Sequence, residues 1–175
     1  MNLLLGREEV NPDSRDDCDR TPLICAARGG HEGIVKLLLD RKEVNPDSSN
    51  YDGQTPLWLA AEGGYQGIVK LLLDRKEVNP DSRDNYDQTP LIRVAGGGHE
   101  GIVKLMLDRE EVHPNARDNH GQTPLTHAAK RGHDGIVKLL EGRPDAEPDT
   151  EANYLSIPSF STSPYGSSDD DWLDH

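Results

Sequence analysis

The triplet Thr-Pro-Leu begins at Thr21, Thr55, Thr89 and Thr123, each 34 residues from the last, and this fixed interval confines the chain to an array of like units. The register holds beyond the triplet: Val10, Val44, Val78 and Val112 form one set, and Ile34, Ile68, Ile102 and Ile136 another. A unit of this size cannot bury its apolar face alone, so neighbours must cover it. The 175 residues therefore describe an elongated solenoid with a linear core in place of one compact domain.

Within a unit the local signals are consistent. Each Thr is a good helix N-cap, and the Pro after it suits the first helical position, where a missing N–H has no partner to lose. Leu57, Ala60 and Ala61 then follow at i, i+3 and i+4, a narrow stripe of small residues that lets a neighbouring helix approach closely. Gly63-Gly64 ends that helix. A second helix is predicted around Ile68-Val69-Lys70-Leu71-Leu72-Leu73, apolar nearly all round and so wedged between two neighbours. Glu32 with Lys36, Glu100 with Lys104 and Asp134 with Lys138 are spaced for i,i+4 pairs worth about 0.2–0.5 kcal/mol each. The Asp, Asn and Pro-rich stretch from Asp74 to Gln88 is predicted to project from the edge as a turn or β-hairpin, with extended backbone before each proline of the Asn-Pro pairs at Asn45 and Asn79.

Gly53, Thr55-Pro56-Leu57, Ala60-Ala61, Gly64, Ile68-Val69, Leu71-Leu72-Leu73 and Val78-Asn79 together resemble the ankyrin repeat, over roughly residues 3 to 149. The longer variant HEGIVKLLLDRKEVNPDSRD is similar to fungal-type repeats, in which such arrays often form the sensor end of large NACHT-type signalling proteins. The resemblance implies an all-α ankyrin-repeat solenoid, a right-handed stack of helix-turn-helix units with hairpin-like loops. Several positions depart from the family pattern. The histidine usual after Thr-Pro-Leu is Ile24, Trp58, Ile92 and Thr126 here, and Arg41-Lys42-Glu43 stands where Gly-Ala-Asp is common. The turn glycine is kept at Gly53 and Gly121 but is Asp19 and Asp87 in the other units, where a positive φ is expected at some cost. Gly96-Gly97-Gly98 weakens the third unit, which is expected to fray first.

The array divides into a partial repeat at 1–16 and four units at about 17–50, 51–84, 85–118 and 119–149. Leu3-Leu4-Leu5 aligns with Leu37-Leu38-Leu39, so the chain enters in the middle of a second helix, and self-association through that uncapped N-terminal end is expected. Glu141, Thr126, Lys130 and Arg131 make the last unit polar, as a terminal cap would be. Residues 150–175 read as a disordered acidic tail rich in Ser, Pro and Asp.

The formal charge is −13, which argues against nucleic acid as a ligand. No stretch approaches the roughly 18 apolar residues of a membrane span, and no secretion signal is recognisable, so a cytoplasmic or nuclear place is expected. Cys18 and Cys25 lie in one unit without counterparts and read as free thiols. His31, His99 and His133 share one repeated position and read as structural, while His113, His120 and His127 lack a common helical face for zinc. Gly96 to Gly101 lacks the Lys-Ser/Thr of a phosphate loop, and no nucleophile has a placed base. No catalytic residue, metal ligand or cofactor is assigned, and an enzyme is not expected.

What remains is a surface for a protein partner. Positions that differ among the four units are free of the demands of stacking. In the turns they include Asp17, Cys18 and Arg20; Tyr51, Asp52 and Gln54; Asn85, Tyr86 and Gln88; and Asn119, His120 and Gln122. On the first helices they are Cys25, Leu59, Arg93 and His127, with Arg28, Glu62 and Lys130 near the ends. The resemblance implies that matching positions form the concave face that holds partners, with Tyr51, Tyr86 and Arg93 as expected anchors. Trp58 is expected to pack against the adjacent unit. The expected function is a non-catalytic protein-interaction module or adaptor. The alternatives are the recognition array of a larger NACHT-type protein and an acidic inhibitor that masks a basic partner.

Overall fold

The computed structural model describes residues 11–143, in which eight helices form four pairs. They are α1 Pro22–Arg28, α2 Glu32–Leu39, α3 Pro56–Glu62, α4 Gln66–Leu73, α5 Pro90–Gly97, α6 Glu100–Leu107, α7 Pro124–Lys130 and α8 Asp134–Glu141. The expectations for Leu3 to Leu5 and for the tail from Thr150 lie outside the described residues. No helix among the described residues is long and apolar enough to cross a membrane.

Each first helix starts as its sequence requires. The Thr21, Thr55, Thr89 and Thr123 hydroxyls accept the N–H three residues on at 3.3, 3.2, 3.3 and 3.2 Å, and proline fills the first turn. In the fourth unit Thr126 returns the bond to the Thr123 N–H, closing a capping box. The stripe of Leu57, Ala60 and Ala61 is fully buried, as are Leu23 and Ala27 in the first unit and Leu91, Val94 and Ala95 in the third. Consecutive first helices pack more closely on one another than consecutive second helices do. Alanines on one side and leucines on the other account for this, since side-chain size sets how near two helices approach.

The second helices are therefore less enclosed than their sequence suggests. Val35, Leu38, Val69, Leu72, Val103 and Met106 are buried, but Leu37 is exposed and Leu71, Leu105 and Leu139, at the same register, are half-buried. A row of leucine is left partly open on the splayed side. Of the three expected i,i+4 pairs, Lys104 with Glu100 forms at 2.7 Å, while Glu32 with Lys36 and Asp134 with Lys138 do not among the described residues. Glu32 has other work. Its carboxylate lies across Gly67 of the next unit, where a Cβ would collide with it, and Gln66 covers Gly101 and Glu100 covers Gly135 in the same way.

The loops are turns, and no β-strand is present among the described residues. Each tip is a five-residue turn: Asn50 N–H donates to Gln54 O at 3.1 Å, Asp84 to Gln88 at 3.1 Å and Asp118 to Gln122 at 3.0 Å. Single backbone–backbone bonds join one tip to the next, from Asn85 N–H to Asp52 O at 2.9 Å and from Asn119 N–H to Tyr86 O at 3.1 Å. One bond per joint is too few for a ladder. Asp19 and Asp87 adopt φ of 60° and 58°, and Gly53 and Gly121 take 76° and 74° at the same turn position.

Below the tips, carboxylates tie unit to unit. Asp13 Oδ2 accepts the Asn45 N–H at 2.8 Å and Asp81 Oδ2 accepts the His113 N–H at 2.9 Å. Asp47 accepts the Asn79 N–H in the same way; burial pushes its carboxyl above the usual range, opposed by that bond and by one from Ser82. Guanidinium groups add a second row. Arg15 donates to Ser49 O at 2.9 Å, and Arg83 donates to Arg117 O at 2.8 Å.

The Gly-Gly stop works through the ring that follows it. In the first three units the ring at His31, Tyr65 or His99 lies against the first glycine of its own pair, and Tyr65, His99 and His133 each lie against the left-handed glycine of the preceding unit, so these histidines pack. In the third unit His133 Nε2 and Arg131 Nη1 both reach Gly96 O, at 3.0 and 3.1 Å. Gly96 is helical and a Cβ there would meet its nearest neighbours at 3.7 Å, an ordinary contact. Gly96→Ala is expected to stabilise by about 1 kcal/mol through helix propensity. Gly98→Ala, at φ 80° and against the His133 ring, should destabilise by about 1–2 kcal/mol. Paired thermal melts of the two variants check both signs.

Candidate functional site

The turn tips and the exposed sides of α1, α3, α5 and α7 form one continuous face, because tips and first helices occupy the same register in every unit. Its frame is built by the residue that opens each turn. Asp16, Asn50, Asp84 and Asp118 each present Oδ1 to the backbone N–H two and four residues on, at 2.8–3.0 Å. The tip residues between those bonds are thus held without help from a partner.

Tyr51 and Tyr86 are the large apolar side chains this frame displays, 70% and 61% exposed. Asp52, Asn119 and His120 are exposed beside them. Asn85 is exposed too, but its amide is committed: Nδ2 donates to Tyr51 O at 2.9 Å, which steadies the first tyrosine from the next unit. Gln54, Gln88 and Gln122 are half-buried, and Gln54 Oε1 accepts from Asn50 Nδ2 at 3.1 Å. Arg20 pairs with Asp16 at 2.7 Å, and its hydrogen bond, foremost among the causes, holds the Asp16 carboxyl down to about 2.

Three of the expected contact residues have partners within the fold. Leu59 is only 4% exposed, clustered with Ile24 and Trp58, so it is floor and not a presented side chain. The physical reason is Trp58, 2% exposed, whose bulk fills the gap between units and draws Leu59 and Ile24 into a second apolar cluster. Trp58 Nε1 donates to Gln88 O of the next unit at 3.1 Å. Arg93 is the lid on this cluster. Its guanidinium carbon lies 5.0 Å from the Trp58 ring centroid, it is ion-paired with Glu62, and its Nε is buried with no acceptor. His127 is half-buried and bonds Asp118 Oδ2 through Nε2 at 2.9 Å.

That pair shifts a titration. Burial alone would raise the Asp118 carboxyl, but the His127 bond and the N–H groups of Gln122 and His120 outweigh it, and the carboxyl falls below its ordinary range. In the first two units a cleft of about 390 Å³ opens between Cys18, Arg20, Arg28, Tyr51 and Glu62, with Leu59 at its floor. Cys18 and Cys25 are free and exposed. Among the described residues no group of three or more His, Cys, Asp or Glu is placed to hold a metal ion.

Sequence comparison among the units missed the Glu62–Arg93 and Arg131–Gly96 contacts. The signal available was their spacing of 31 and 35 residues, close to the repeat length and so diagnostic of neighbours across a seam. A family model described as ankyrin repeats, in three copies, matches residues 1–84 and 76–152. No curated protein matches the chain.

Proposed function

Because the chain belongs to the ankyrin-repeat family, whose arrays generally serve protein–protein interaction, we propose that it is a non-catalytic binding module that holds a partner protein against its turn tips and first helices. The observation that carries this reading is the display of Tyr51 and Tyr86 on a saturated frame. The turn backbone around them is already bonded by Asn50 and Asp84, so the two rings are presented at little ordering cost, and aromatic side chains dominate interface energetics. Arg93, despite its residue type, is committed to Trp58 and Glu62.

The test is a pull-down from the source with the full chain as bait, compared with a Tyr51→Ala/Tyr86→Ala double variant. Both rings are exposed, so the variant should melt within about 0.5 kcal/mol of the parent. Partner recovery should fall by about tenfold or more. Equal recovery by the two baits would remove the tyrosines from the contact surface. The role of sensor array in a larger NACHT-type protein is separable by mapping the source transcript, and that of an inhibitor of a basic partner by the peptide comparison that follows.

A further inference from the structure

The charge on the binding face is not uniform along the stack. In the first three units the turns carry accessible acids, Asp16, Asp17 and Asp19, then Asp52, then Asp87, of which Asp16 and Asp19 are ion-paired with Arg20 and Arg15 while Asp17, Asp52 and Asp87 form no ion pair among the described residues. The fourth turn reads Asn119, His120, Gly121 and Gln122, and the acid that opens it, Asp118, is buried against His127. The helices complete the asymmetry. Glu62 is the one acid on the four first helices and is spent on Arg93; α1 ends in the single exposed cation Arg28, in the same unit as the acids of the first turn, whereas α7 ends in two cations, Lys130 followed by Arg131. Lys130 is exposed and makes no ion pair among the described residues. Arg131 donates to the uncharged carbonyl of Gly96, so its positive charge is uncompensated. A chain with net charge −13 thus keeps an unneutralised cationic end on the face that presents its tyrosines.

We propose that the partner segment is acidic and binds with its carboxylates against Lys130 and Arg131, its continuation crossing Tyr86 toward Tyr51. This rests on the binding-face reading above and adds the chemistry and polarity of the ligand. Exposed charges of this kind contribute modestly to affinity but fix direction, since a segment laid the other way would set its acids against Asp52 and Asp17. A basic segment meets the reverse arrangement.

The probes are two labelled peptides, Asp-Asp-Asp-Trp-Leu-Asp, a sequence this chain itself carries at 169–174, and its lysine counterpart, titrated by fluorescence anisotropy. The receptor is the full chain with Asp169, Asp170, Asp171 and Asp174 changed to Asn. The acidic peptide should bind more tightly than the lysine peptide; added salt should weaken the binding, and Lys130→Gln/Arg131→Gln should weaken it by about five- to tenfold. Lys130→Gln alone, which removes no contact among the described residues, should give a smaller loss and guards against misfolding of the double variant. Equal binding of both peptides, or no change in either variant, overturns the proposal. Preference for the lysine peptide with loss in Tyr51→Ala/Tyr86→Ala overturns the acidic ligand but leaves the face standing. Binding of the acidic peptide that ignores both the tyrosine and the Lys130/Arg131 variants overturns the face itself. Weaker binding by the unaltered chain than by the Asn variant assigns the surface to its own acidic run and overturns a separate partner.

Discussion

Trp58→Ala is expected to remove about 3–5 kcal/mol of folding stability, the range for truncating a fully buried tryptophan. Three losses coincide at this side chain. The cavity left would be lined by Ile24 and Leu59, which have no other cluster to join. The indole bond to Gln88 O disappears and leaves that carbonyl, at the end of the third turn, with only the Asp84 N–H as donor. Arg93 loses the ring beneath it while its buried Nε still lacks an acceptor. Trp58→Phe keeps most of the volume and the cation–π contact but not the hydrogen bond, and should cost about 1–2 kcal/mol. Denaturant melts followed by far-ultraviolet circular dichroism separate the two. A cost under about 1 kcal/mol for the alanine variant would show that the seam between the second and third units does not depend on this residue.

Asp118→Ala should be nearly as damaging, at about 2–4 kcal/mol, because it strips the acceptor from the His120 and Gln122 N–H groups and strands the half-buried His127. Asp118→Asn should cost far less. The second unit already uses Asn50 at this register and makes both backbone bonds with an amide oxygen, at 3.0 and 2.9 Å. The pair also predicts a pH dependence. The Asp118 carboxyl lies lower in the folded chain than in the unfolded one, so it contributes stability above the unfolded value of about 4, lost as pH falls through the depressed folded value. Melts between neutral and acidic pH should show the parent losing ground on Asp118→Asn below about pH 4. A constant difference between them would break the link between this carboxylate and acid sensitivity.

The elements most legible in the sequence were those whose cause is local. Thr-Pro fixed each first-helix start, and the left-handed φ at Asp19 and Asp87 followed from the turn glycine they replace. What the sequence did not disclose lies across the seams. Cys25 and Leu59 share a register, yet one is exposed and the other buried, because only the second unit has a tryptophan beside it. Gly67, Gly101 and Gly135 show nothing in the local sequence of the Glu or Gln side chain that the previous unit lays over each. Of the expected contact residues, the exposed tyrosines of the turns could be read from the differences among units, whereas Arg93 and His127 were claimed by partners in the fold.

The carboxylate ties offer a different lesson when followed along the chain. Asp13, Asp47 and Asp81 each grip a backbone N–H in the next unit, and a backbone N–H is the same donor whether it belongs to Asn45, Asn79 or His113. Each such tie therefore accepts any unit as its successor. A recombination event that copied or deleted 34 residues in register would leave none of these carboxylate ties unmatched, whereas the Glu62–Arg93 ion pair depends on which unit follows which. For such a chain the natural step of variation is a whole segment: its reach can lengthen or shorten by one turn tip and one first helix at a time, while point substitutions at those same positions retune what it holds.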